Sequence, residues 1–191
     1  MSPPPFHLQR QVGEALLAAG WHAASIAVAS KPGSAWSLSD PEHRIRVRMS
    51  ADLGSPLSEL TAVGLPCRYG AAAPWRLVIH HAPSADVVAS ALEAPEAARG
   101  GGGTERRAVG RALESCGMRC DRGRLAQALS GIACWTSPDH RAEAVWLAAC
   151  RAQHGGWVIH TAAALLQATS EAPAAVLIPL INADPVPGAT P

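Results

Sequence analysis

The sequence predicts an α+β protein of two tandem antiparallel-sheet-plus-helix repeats, packed as one pseudo-symmetric compact unit. Three observations carry this. Trp36 to Arg48 runs from a Trp through a Ser/Pro/acid turn to His-Arg, and Trp135 to Leu147 does the same. Pro41-Glu42-His43-Arg44 falls on Pro138-Asp139-His140-Arg141 at a constant offset of 97. The same offset lays Val12-Gly13-Glu14-Ala15-Leu16 on Val109-Gly110-Arg111-Ala112-Leu113 and Gly20 on Gly117. Two matches at one spacing mark a repeated unit.

The elements follow in order. Leu8 to Ala19 places Val12, Leu16 and Leu17 on one helical face, with Gly20 as the C-terminal cap. Ala23 to Ser30 is small and β-branched, Lys31-Pro32-Gly33-Ser34 is turn chemistry, and Ala35 to Ser39 resumes as a strand. His43 to Met49 alternates strictly, with Ile45, Val47 and Met49 inward and Arg44, Arg46 and Arg48 outward. Residues 51 to 73 form a long polar connection with one more strand expected near Leu65 to Tyr69. Trp75 to His80 alternates again, with Trp75, Leu77 and Ile79 inward, and Ser84 caps a helix from Ala85 to Glu93 with Val87, Val88 and Leu92 apolar.

Gly100 to Gly103 mark the boundary, so the repeats span 8–94 and 105–183, joined by a linker at 95–104 and followed by a proline-rich tail at 184–191. The second repeat predicts a helix from Glu105 to Cys116 and strands at Ile132 to Thr136, Arg141 to Ala149, Trp157 to Ala162 and Leu165 to Thr169. A closing helix follows from Pro173 to Asn182, with Pro179 expected to kink or shorten it. Ala82-Pro83 matches Ala172-Pro173 at an offset of 90, so the second repeat has lost seven residues in between.

Composition narrows the function classes. The 191 residues suffice for a real core, and no apolar run approaches a membrane span. Met1 to Phe6 carries three prolines and no charged-then-apolar leader, and five irregularly spaced cysteines do not read as a disulfide framework, so a cytoplasmic location is expected. A net charge of +1 argues against a strongly electrostatic nucleic-acid binder but permits local patches.

Trp135-Thr136-Ser137-Pro138-Asp139-His140-Arg141, followed by Trp157 and the Pro173 helix start, resembles the hallmark of the actinobacterial SPDY domain, a domain of unknown function often found in tandem. The first repeat, Ser39-Asp40-Pro41-Glu42-His43-Arg44, is a looser match that reads as one residue inserted between Ser and Pro. The resemblance implies a tandem domain and supplies no catalytic residues. Strands followed by a helix, twice, are also similar in element order to small single-stranded-DNA-binding folds of the Whirly type, a likeness of plan rather than of function.

The residues themselves point to binding rather than catalysis. The Pro/acid motif is turn chemistry, which assigns Trp36, Pro41, His43, Trp135, Pro138, Asp139, His140 and Arg141 structural roles. The alternative, His43 and His140 as acid/base or ligand groups, would require adjacent turn residues to converge on one substrate. Cys116, Cys120, Cys150 and His154 are ligand types for zinc, but their spacing is loose and buried thiols are the default. Likewise, His80, His81 and His160 read as strand-end histidines. With no phosphate loop or nucleophile elbow, no catalytic residue, metal or cofactor is expected.

What remains is a row of arginines. Arg44, Arg46 and Arg48 would stand at intervals of about 6.8 Å along one strand face, close to the spacing of phosphates along a single strand. Arg76 and His80 are expected to share the outward face of the neighbouring Trp75 strand, with Arg68 nearby. Such a row can track a nucleic-acid backbone without reading its sequence. The second repeat has Glu143, Val145 and Leu147 at the corresponding places, so it points instead to a protein partner or a homodimer, with Trp146 facing that partner or the other repeat.

Overall fold

Ile45, Val47 and Met49 are buried while Arg46 and Arg48 are exposed, the alternation that a strand covered on one face requires. The computed structural model describes residues 7–23, 36–50, 59–65, 74–81, 84–94, 97, 105–121, 131–148, 155–161 and 164–183. The first half holds α1 (His7–Ala18), β1 (His22–Ala23), β2 (Trp36–Ser39), β3 (Ile45–Ser50), β4 (Glu59–Gly64), β5 (Trp75–His81) and α2 (Ala85–Glu93). The second holds α3 (Glu105–Ser115), β6 (Arg119–Cys120), β7 (Ile132–Thr136), β8 (Glu143–Leu147), β9 (Gly156–His160), β10 (Leu165–Thr169) and α4 (Ala174–Asn182).

All ten strands belong to one antiparallel sheet in the order β1-β2-β3-β4-β5-β10-β9-β8-β7-β6. The two halves therefore share a sheet, joined where β5 pairs with β10 through Ile79 opposite Leu166, Val78 opposite Gln167 and Leu77 opposite Ala168. The helices line up as α1, α2, α4, α3. Val12, Leu16, Val88, Leu92, Val109, Leu113, Leu177 and Ile181 from this layer form one core with the inward sheet residues Leu38, Trp75, Leu77, Trp135, Trp157 and Ile159.

Both opening helices stop the same way. Gly20 (φ 89°) and Gly117 (φ 85°) take left-handed conformations, while Trp21 N–H donates to Leu16 O at 3.0 Å and Met118 N–H to Leu113 O at 3.1 Å. This is the Schellman arrangement that glycine permits without a side-chain clash. Ser84 caps α2 through its hydroxyl, which accepts from Val87 N–H. The matching cap of α4 is Pro173, an offset of 89, so the pairing of Pro83 with Pro173 is one residue out of structural register.

Several expectations are corrected. Leu17 is 43% exposed, because the buried stripe of α1 runs through Gln9, Val12, Gly13 and Leu16. Within the connection at 51–73 a strand forms at β4, where Leu60, Ala62 and Gly64 face the core; Leu65 lies beyond its end, and the rest of the strand expected near Leu65 to Tyr69 lies outside the described residues. Of the strand expected from Ala23 to Ser30, His22 and Ala23 pair with β2, and residues 24–30 lie outside the described residues, as do the linker glycines and the tail. Pro179 does not shorten α4. It sits in the last turn, where its missing N–H removes only one bond, and Ala183 N–H donates to Pro179 O at 3.1 Å. Trp146 faces the core rather than the outward surface: it is 9% exposed, meets Trp157 in a tilted contact at 5.1 Å between ring centroids and lies beneath the Arg106 guanidinium of α3.

Candidate nucleic-acid interface

The two Pro/acid turns are built alike. Asp40 N–H donates to Ile45 O at 3.1 Å and Ser137 N–H to Ala142 O at 2.9 Å, each closing a hairpin. A side-chain oxygen then accepts the returning strand's N–H: Asp40 Oδ1 from Ile45 at 2.7 Å, and Ser137 Oγ from Ala142 at 2.9 Å. Asp40 thus stands in the place of Ser137, and the first turn carries no inserted residue. His43 (φ 57°) and His140 (φ 58°) take the left-handed conformation that turns the chain. Both are exposed. In the second turn the Ser137 hydroxyl donates to Asp139 Oδ1 at 2.6 Å and Arg141 N–H donates to the same oxygen at 3.2 Å, so the Asp139 carboxyl is held below its ordinary range.

The left-handed backbone at His43 also breaks the arginine row. Arg44 leaves the strand face and its Nε lies 3.0 Å from Glu42 Oε2 and 3.6 Å from Asp40 Oδ2. It lines a hollow of about 350 Å³ with Trp21 and Leu92, residues that pack among the helices. Arg44 is therefore a turn residue, and Arg68 lies outside the described residues.

Arg46, Arg48 and Arg76 do share the face of the sheet opposite the helices, and all three are exposed. Arg46 pairs with Val63, which pairs with Arg76, so the two arginines stand two strands apart, about 10 Å between backbones. Arg48 sits two residues along β3 from Arg46 and pairs with Thr61. Ser37 and Ser39 flank the row on β2. Arg46 and Arg48 form no ion pair among the described residues.

Beyond the β5–β10 seam the same face changes character. Val78, Gln167, Val158 and Val145 follow one another across β5, β10, β9 and β8, with Leu147 and Ile132 in the adjacent row. Val158 is 38% exposed. A groove of about 420 Å³ opens at the seam, between Arg76, Val78 and His80 on one side and Leu147 and Val158 on the other. The groove depends on the pairing of β5 with β10, which no local sequence pattern announces.

The described residues hold no group of three or more His, Cys, Asp or Glu placed to bind a metal ion. Cys116 and Cys120 are part-buried free thiols packed against the core, and burial pushes the Cys116 thiol up; Cys150 and His154 lie outside the described residues. No described helix is long and apolar enough to cross a membrane. Comparison with family models, with curated proteins and with solved structures finds no match to this chain.

Proposed function

We propose that this chain is a non-enzymatic binding module, and that its open sheet face holds single-stranded nucleic acid by its phosphates through Arg46, Arg48 and Arg76. The observation that carries the reading is the clustering of three exposed arginines on the sheet face opposite the helices of the described residues. Guanidinium groups spaced like phosphates exchange condensed counterions for direct contacts. The tryptophans at 21, 75, 135, 146 and 157 are buried, so among the described residues the face offers charge and aliphatic contact rather than tryptophan rings. A cytoplasmic location accords with this role.

Duplication accords with it too. The Schellman glycines, the left-handed histidines and the side-chain-closed turns recur at an offset of 97. The strand order runs outward from the β5–β10 seam in the same sequence on both sides. We read the chain as two divergent SPDY-like units, of which the first retains the basic face.

A second reading, a protein–protein adaptor, is favoured by the outward apolar row of Val145, Leu147 and Val158. Fluorescence anisotropy with labelled single-stranded and double-stranded oligonucleotides, at low and moderate salt, decides between them. Micromolar or tighter binding that weakens steeply with salt supports the nucleic-acid reading; absence of binding at low salt sinks it. A salt-indifferent homodimer or partner complex would then support the adaptor.

A further inference from the structure

We infer that the groove at the β5–β10 seam seats one nucleobase of the bound strand, a site additional to the phosphate contacts and resting on the nucleic-acid reading above. A base has two apolar faces and a rim of hydrogen-bond donors and acceptors, and the groove offers both kinds of surface. Val78 and Val158 supply aliphatic wall on either side of Gln167, and Leu147 closes the far end. Gln167 stands exposed between them, and its amide can donate and accept at once.

His80 adds the second polar group. Its Nε2 is buried and has no hydrogen-bond partner among the described residues, although it lines the groove. A buried ring nitrogen without a partner is costly unless a ligand or water supplies one. His80 is also where the β5–β10 register slips, since Leu165 pairs with His81 and Leu166 with Ile79, leaving His80 as the extra residue of a bulge. Bulges of this kind re-aim a side chain next to a site.

Gly156 lines the groove, and a β-carbon there would overlap the Ala168 carbonyl oxygen, so that the position admits no side chain. Its volume of about 420 Å³ lies within the range of roughly 300–1,000 Å³ for small-molecule sites. Arg76 lines the same groove and belongs to the arginine row, so a strand whose phosphates follow the row can reach the groove without leaving the sheet.

The test compares a fluorescein-labelled single-stranded DNA of ordinary bases with an abasic chain of the same length and charge, on the full-length protein at low salt. The base-bearing chain is expected to bind about tenfold tighter. Gln167→Ala, on the exposed face, should bring the two affinities together while leaving the abasic chain's affinity and the melting temperature unchanged. Val158→Asp provides an independent check on the opposite wall and should act in the same direction on the ratio. Equal affinities for the two chains in the wild type overturn the base site while leaving the phosphate contacts standing. Absence of binding to either chain overturns both.

Discussion

Gly64 lies against the indole of Trp75 so closely that a β-carbon at position 64 would overlap the ring at Nε1. That nitrogen donates to the Ala97 carbonyl at 3.0 Å, which fixes the ring in place and leaves it no easy retreat. Gly64→Ala should therefore cost about 1–3 kcal/mol, as overpacking does in a closed core. Urea denaturation followed by tryptophan fluorescence checks this; wild-type stability would mean that the ring can shift.

Ser137 satisfies two backbone donors, Arg141 N–H at 3.1 Å and Ala142 N–H at 2.9 Å. Ser137→Ala leaves the second of these buried without its side-chain partner, and a loss of about 1–3 kcal/mol is expected. Ser137→Asp should recover part of it, because Asp40 performs the same closure with a carboxylate. Thermal melts of the two variants separate this from a general intolerance of the site.

The Asp139 carboxyl is held down first by the Ser137 hydroxyl and then by the Arg141 N–H. A carboxyl whose folded value lies below its ordinary one stabilises the fold at pH values above the ordinary value, here 3.8. That stabilisation is lost as pH falls through the folded value. Asp139→Asn should thus melt slightly below wild type at pH 6, and the gap should close under strongly acid conditions. A gap independent of pH would show that the carboxylate charge plays no part.

The inward face was legible wherever large apolar residues alternate with polar ones, as in β3 and β5. It was not legible in β4, whose core positions are Leu60, Ala62 and Gly64, two of them too small to register as hydrophobic. Nor was Trp146 legible, because its neighbours Val145 and Leu147 are also apolar and alternation cannot choose a face. Arg44 was misplaced for a different reason. Counting by twos from Arg48 assumes extended backbone, and the left-handed turn at His43 ends it one residue later. The seam, and with it the groove, follows from pairing between residues about 90 positions apart, which short-range patterns do not encode.

Trp157 lies between Trp135, at 5.4 Å, and Trp146, at 5.1 Å, so the second half of the core is built on three indoles in tilted contact. Trp135 also packs against α3, where a β-carbon added at Gly110 would come within 3.1 Å of its ring. Trp135→Ala should cost about 3–5 kcal/mol, the range for removing a large buried aromatic. Retained stability in denaturant would mean that the cavity collapses or fills.

Arg44 and Arg46 are two residues apart yet should answer to different assays. Arg46 projects from the open face, so Arg46→Glu replaces a phosphate contact with a repulsive charge. It should weaken single-stranded DNA binding at least tenfold, lower the salt slope by about one, and leave the melting temperature within a degree or two. Arg44 is held in the turn by Glu42 and Asp40, on the side of Trp21 and Leu92. Arg44→Ala should therefore leave DNA affinity within about twofold and act, if anywhere, on stability, modestly because the pair is part-exposed. If instead Arg44→Ala weakened binding as much as Arg46→Glu, the bound chain would run over the turn rather than across the sheet. That result would move the interface to the hollow beside Trp21.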